Sequence, residues 1–390
     1  MAARTYTRSV IGEVAETGFR SLGQGAARRM ALQSAQRDEL GRTMLIHGPV
    51  GAGKTAFVDD LLALIFCADP DRASRPCNTC RGCRDARART HPDLVVGSPD
   101  VWRESRSTGE SIVAAARRWL LAASGAPVVA SRRVVLLERV DRANEQTQNS
   151  LLKVLEEPTD RHTFILVADE PQRLLPTIRS RCRPLRVGPV PRGELVAYLM
   201  DRMRLPADQA DTIAQLSGGL VGSAVGYVQQ AVRLDWRRRV QIELLALLHH
   251  GRAERLAAAR HLLDTAAAIA APASPSDGTD VTEADSARVP ASAQREGALL
   301  VVDAWLSLSR DLLVACAGRP GLAASRELEP GQDPSLERIG ERIGAGPLLE
   351  MVSRLEQIHD ALRENAAPRL ALEVAMLTWP RLDPPEPPGR

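Results

Sequence analysis

The sequence predicts an α/β module with a mostly parallel sheet, followed by two helical domains, and three observations carry that prediction. A glycine-rich loop, "GPVGAGKT" at 48–55, lies between a short apolar run and a segment with helical apolar spacing. Further apolar runs alternate with helical stretches, the pattern of a parallel sheet covered on both faces. Beyond "PLRVGPVP" at 184–191 the strand signals stop and only helical periodicity continues.

In chain order, "TMLIH" at 43–47 reads as a buried strand running into the loop, and "TAFVDDLLALIF" at 55–66 as the helix that leaves it. Strands follow at 93–96 ("DLVV"), 133–138 ("RVVLLE") and 163–168 ("TFILVA"), with helices at about 111–123 and 144–156. Pro158 marks the end of the latter helix. "RGELVAYLMDRM" and "PADQADTIAQLSGG" form a small helical domain closed by Gly218 and Gly219. From about 233 the chain is rich in Ala, Leu and Arg with helical spacing, interrupted at 271–296 by a Pro-, Ser-, Asp- and Thr-rich stretch expected to be a disordered insertion. The expected divisions are a nucleotide-binding module at 1–188, a helical lid at 189–232, a helical domain at 233–380 and a flexible tail at 381–390. There is no internal repeat.

A chain of 390 residues, 44% hydrophobic and 25% charged, is expected to be a soluble protein of more than one domain. A net charge of +3 is too weak to imply nucleic-acid binding, and the basic cluster "DWRRRV" at 235–240 reads first as a solvated helix face. No run of about 18 apolar residues suggests a membrane span, and the N-terminus has no apolar core of a secretion signal, so the expected location is the cytoplasm. Only Lys54 and Lys153 are lysines, and Lys54 lies in the glycine-rich loop, where a compact ammonium has a use that arginine does not serve.

That loop fits the phosphate-binding pattern. Gly48, Gly51 and Gly53 let backbone N–H groups close around phosphates, Lys54 reaches the outer phosphates, and the Thr55 hydroxyl is placed to ligate Mg²⁺. ATP with Mg²⁺ is therefore the expected ligand, against the plainer reading of a glycine turn. Cys67, Cys77, Cys80 and Cys83 are close in sequence and include two C-x-x-C turns, which suits a closed, structural Zn²⁺ site; a redox C-x-x-C is the other reading. Cys182 and Cys316 are left over and expected to be buried.

The phosphate loop, the four-cysteine insertion after its helix, "HPD" at 91–93, "NSLLKVLEEP" at 149–158 and "LLPTIRSRC" at 174–182 occur in that order. Together they resemble the clamp-loader subunits of bacterial DNA polymerase III, members of the AAA+ family, over about 20–230, and "NAAPRLALEVAML" at 365–377 is similar to the end of that family's collar domain. The resemblance implies an AAA+ module with a zinc-binding insertion, a lid and an all-α collar. It also implies a five-membered ring with gamma/tau motor and delta subunits that places the sliding clamp on primed DNA, as part of the DNA-directed DNA polymerase III holoenzyme. Two subunit types of the family carry the zinc module, the ATP-hydrolysing gamma/tau motor and the delta-prime stator.

The residues that correspond to the family's hydrolytic groups favour the stator. Where the motor has an Asp for Mg²⁺ and a Glu to polarise water, this chain has Glu138 and Arg139. Glu138 remains a candidate cofactor contact, but a guanidinium accepts no proton; Arg139 could pair with a phosphate or with Glu138. The sensor threonines are replaced by Ala168 and Asp169, and an Asp there repels a γ-phosphate unless protonated or turned away. The lid's G-S-x-R pattern reads Gly219, Leu220, Val221, Gly222. Arg181 in "SRC" matches the arginine finger that completes a neighbour's ATP site, against the reading of one surface arginine among many. Lys153, Glu156 and Glu157 correspond to a helix that in the family faces the ring interior or a neighbour, or else form a solvated helix end. The expectation is a delta-prime-like subunit that is itself a poor ATPase, with a gamma/tau-type motor as the alternative.

Overall fold

The computed structural model describes residues 18–37, 42–156, 161–229, 231–270, 290–318, 336–363 and 366–382. The first 17 residues, Glu157 and Pro158, most of the expected insertion and the tail from 383 lie outside the described residues. The chain divides into two compact units, Met1–Val228 and Gln229–Arg390.

The first unit is built on five parallel strands: β1 (Thr43–His47), β2 (Leu94–Gly97), β3 (Arg133–Leu137), β4 (His162–Ala168) and β5 (Arg183–Arg186), in the spatial order β2-β3-β4-β1-β5. β1 pairs with β4 from Thr43↔Phe164 to His47↔Ala168 and with β5 from Met44↔Arg183 to His47↔Arg186. Side chains alternate across the sheet. Met44, Ile46, Val134 and Leu136 enter one apolar layer with Phe57 and Leu61 of the loop helix α2 (Lys54–Phe66). Leu45, Val135 and Leu137 enter the other, with Trp102, Leu120 and Leu151. Because both faces are covered, β3 and β4 read as continuous apolar runs, and each fully buried Leu or Val contributes about 1.5–3 kcal/mol.

The remaining helices of this unit are α1 (Gly25–Gln36), α3 (Arg81–Arg87), α4 (Pro99–Glu104), α5 (Ile112–Ala123), α6 (Glu145–Glu156) and α7 (Pro176–Arg179), followed by three lid helices, α8 (Arg192–Arg202), α9 (Ala207–Leu216) and α10 (Val221–Gln229). Ser98 and Ser111 cap α4 and α5, their hydroxyls accepting from Val101 N and Ala114 N. The segments that follow β1, β3 and β4 leave the carboxyl ends of three adjacent strands, which is where an open parallel sheet places its ligand.

The second unit consists of α11 (Ala231–Ala246), α12 (Arg252–Ala270), α13 (Ala291–Cys316), α14 (Leu336–Ile343), α15 (Ala345–Arg363) and α16 (Pro368–Thr378). Its core centres on Trp305 and Trp379, whose rings meet edge to face at 5.2 Å. Arg255 is buried, and its guanidinium donates to the carbonyls of Leu247, Leu248, Trp379 and Pro380. One expectation is corrected here: residues 291–296 are not insertion but the first turns of α13, which starts directly after Pro290 and buries Ala293 and Ala298. A proline just before a helix fixes its entry, and the Ala, Gln, Arg and Glu that follow are good helix formers.

Candidate functional site

The phosphate loop turns on glycines. Gly48 has φ of +152°, and a Cβ there would lie 1.8 Å from the carbonyl oxygen of Val187, so only glycine fits. Gly53 has φ of +92° and leads directly into α2. Lys54 is buried and folded back on the loop. Its Nζ donates to Gly48 O at 2.6 Å and Pro49 O at 2.8 Å and pairs with Asp169 Oδ1 at 2.7 Å, which uses all three ammonium protons. Thr55 is exposed. The loop also touches the lid: Gly222 N donates to Gly51 O at 2.7 Å.

Asp169 is therefore turned onto Lys54, which answers the expected repulsion with an ion pair inside the protein. Its backbone is fixed as well, because the buried Asp141 carboxylate accepts from Asp169 N at 3.0 Å and Glu170 N at 2.9 Å. Burial pushes the Asp141 carboxyl up, and the neighbouring Asp169 adds to that, although the two N–H donors work against it. Asp141 is not singled out by the sequence, where it is one of four charged residues between 138 and 142.

Glu138 and Arg139 do not pair with each other, contrary to one expected option. Glu138 Oε1 takes Arg89 Nη1 at 2.8 Å, and Arg89 Nε takes Asp59 Oδ1 of α2 at 3.0 Å. Arg139, in a left-handed conformation with φ of +52°, sends its Nη2 to Asp100 Oδ2 of α4 at 2.7 Å. The backbone reason is that this conformation turns the chain out of β3 into a short helical turn at Val140–Arg142, which points consecutive side chains to different neighbours. Arg89 had no sequence signal, since its partners are 30 and 49 residues away.

Arg181 follows α7. Its Nη2 pairs with Glu156 Oε1 of α6 at 2.8 Å, its Nη1 donates to Thr177 O at 3.0 Å, and the side chain is 37% exposed. The neighbouring Cys182 is buried, which pushes its thiol up to about 11, whereas Cys316 is only half-buried and so departs from the expected burial. Gln148 ties the two segments together, donating to Ala143 O and Arg173 O and accepting from Leu175 N at 2.9 Å. The Lys153 side chain and Glu157 lie outside the described residues.

The four predicted cysteines come together: the sulfur atoms of Cys67, Cys77, Cys80 and Cys83 all lie within 4.8 Å of one another. Backbone N–H groups of Cys77, Cys80 and Cys83 donate to the sulfurs of Cys67, Cys77 and Cys80 at 3.4 Å, and the Ala68 N–H reaches Cys80 at 3.5 Å. Such donors suit thiolates. Hydrogen bonds led by the Thr79 hydroxyl hold the Cys77 thiol down to about 6, while burial pushes Cys67 and Cys83 up. A set of four clustered sulfurs with N–H donors fits a tetrahedral metal ion. The cluster is wired to the loop helix: Asn78, between Cys77 and Cys80, accepts from Arg87 Nε at 2.8 Å, and Arg87 Nη1 pairs with the fully buried Asp60 of α2 at 2.8 Å.

The five-stranded parallel sheet and the glycine loop that leads from β1 into α2 define a P-loop type α/β module. Residues 23–191 match the family described as DNA polymerase III, delta subunit. The chain is 32% identical over 211 residues to the DNA polymerase III subunit delta-prime of Pseudomonas aeruginosa, covering 52% of this chain and 60% of that one. It is 32% identical over 192 residues to the delta-prime subunit of Escherichia coli, covering 48% and 54%. It is 29% identical over 351 residues to the gamma/tau subunit of Mycobacterium tuberculosis, covering 85% and 55%. Over this module the chain is similar to the delta-prime and gamma/tau subunits of DNA polymerase III. It spans between 54% and 60% of the length of these relatives.

Proposed function

We propose that this chain is a delta-prime-like stator of a bacterial clamp loader. In this reading it hydrolyses little ATP, sits in a ring with gamma/tau motor and delta subunits, and helps place the sliding clamp on primed DNA in the cytoplasm. The observation that carries the reading is at the end of β3: Glu138 is neutralised by Arg89, and the position of the water-activating base is held by Arg139, which is paired with Asp100. Neither group is an available base, since a carboxylate in an ion pair is a weakened proton acceptor and a guanidinium is none. Gly48, Gly51, Gly53, Lys54 and Thr55 would hold nucleotide phosphates, and Glu138 would approach a Mg²⁺ only by leaving Arg89. The four cysteines would hold one Zn²⁺, which supplies folding energy and no reaction chemistry.

Arg181 would act on a neighbour. An arginine finger stabilises charge in phosphoryl transfer, and Glu156 keeps this guanidinium ordered at the surface until a phosphate competes for it. The second reading, a gamma/tau-type motor, is favoured by one observation, the similarity to the mycobacterial gamma/tau chain over 85% of this chain. Hydrolysis separates the two. The purified chain is expected to turn over almost no ATP alone, and Arg181→Ala is expected to lower the ATPase of the assembled ring by tenfold or more without loss of assembly. Robust turnover by the isolated chain, abolished in Lys54→Ala, would select the motor.

A further inference from the structure

Asp169 supplies the phosphate-loop lysine with a carboxylate from within the chain. The Lys54 ammonium is the group of this loop that reaches the outer phosphates of a nucleotide. In the free chain its three protons are committed to Gly48 O, Pro49 O and Asp169 Oδ1. A nucleotide can displace the two carbonyls by reshaping the loop. It cannot easily displace the carboxylate, because Asp169 is fixed at both ends of its peptide: it follows β4 directly, hydrogen-bonded sheet neighbour of β1, and its N–H is held by the buried Asp141. Among the described residues, two other charged groups lie near Asp169. Arg142 Nη2 is 3.6 Å from Oδ2 and largely exposed, so it screens weakly, and the buried Asp141 adds no positive charge.

We propose that Asp169 makes this phosphate loop selective for nucleoside diphosphates over triphosphates. The proposal rests on the reading of the loop as a nucleotide site. A terminal γ-phosphate brings about two negative charges against a carboxylate already within contact of the same ammonium, and like charges in one partly buried site disfavour each other. A diphosphate ends one phosphate earlier. Its phosphates meet the start of α2 and the Lys54 ammonium, which can then be shared between the ligand and Asp169 rather than contested. The loop would thus hold a diphosphate as a fixed structural ligand.

Titration calorimetry of the full chain with ADP and with the non-hydrolysable triphosphate adenylyl imidodiphosphate, both with Mg²⁺, tests this in the wild type and in Asp169→Asn. The expected result is at least tenfold tighter binding of the diphosphate by the wild type, and a fall in that ratio of tenfold or more in Asp169→Asn, through a gain in triphosphate affinity. Asp169→Ser should give the same change, and thermal melting of both variants guards against a folding defect in either. Equal wild-type affinities, or a ratio unchanged in the folded variants, would overturn the proposal. A wild type that binds neither ligand would overturn the proposal together with the nucleotide-site reading beneath it, whereas equal binding of both ligands overturns the proposal alone. Because the readout is binding, it is independent of whether the isolated chain hydrolyses ATP, the result on which the stator reading stands or falls.

Discussion

Arg89 and Glu138 meet at 2.8 Å across 49 residues of sequence, and the same guanidinium holds Asp59 at 3.0 Å, so one cation serves the phosphate-loop helix and the end of β3 together. Replacing it leaves two half-buried carboxylates without a partner. Burial already pushes the Asp59 carboxyl up, with the Arg89 charge opposing that rise. Arg89→Ala is expected to lower stability by about 1–3 kcal/mol in urea denaturation, and Arg89→Lys to recover less than half, because an ammonium does not offer the planar fork that spans both acids.

A pH dependence follows from Asp93. It is fully buried, and its carboxylate accepts from the N–H groups of Val128, Val129 and Ala130 at 2.5–2.8 Å. Burial alone would push the carboxyl up, but these three donors outweigh it and hold it below the usual range. A depressed folded value means that the stabilisation is present above the unfolded value of about 3.9 and is lost as pH falls through the lower folded value. Asp93→Asn is expected to cost about 1–3 kcal/mol at pH 7, and the gap between variant and wild type should close in melts taken between about pH 5 and pH 2.

For the cysteine cluster, metal analysis of the purified chain is expected to find about one Zn²⁺ per molecule, and Cys83→Ser to lose it. Chelation should lower the melting temperature and expose α3, because Arg87 and Arg89, which reach Asp60, Asp59 and Glu138, lie in or just after that helix. Metal-free protein with an unchanged melt would remove the cluster from the list of structural elements.

Arg255 offers a test in the helical unit that involves no ligand. Its guanidinium satisfies four carbonyls, two of them at the chain's last described turn, Trp379 and Pro380, and burial pushes its own affinity for a proton down. Arg255→Met keeps much of the apolar stem but leaves those carbonyls unpaired, and a loss of about 2–4 kcal/mol is expected by chemical denaturation.

Much of this was legible in the sequence, and the parts that were not share a cause. β1, β3 and β4 are buried on both faces and announce themselves as apolar runs, and the loop and the cysteines announce themselves by spacing. β5 is Arg-Pro-Leu-Arg, an edge strand with only Leu185 buried, so hydrophobic pattern gives little sign of it. The start of α13 was hidden because the composition of a polar stretch was averaged across Pro290. The partners of the candidate site residues were the least legible: Arg139 with Asp100, Lys54 with Asp169 and Glu138 with Arg89 are long-range pairs of ordinary surface residue types, and only the sheet brings them together. Motif spacing singled these residues out and left open what they touch.

The contact of Gly222 N with Gly51 O makes a single lever of the lid's third helix and the turn that faces the phosphates. A Cβ on residue 222 would sit 3.1–3.2 Å from Gly51, so the bare backbone is what lets the two lie this close. At this corner backbone rests directly on backbone. Any swing of that helix must pull on the peptide at Gly51, and any reshaping of that turn must push back on the helix, so the two segments are mechanically coupled.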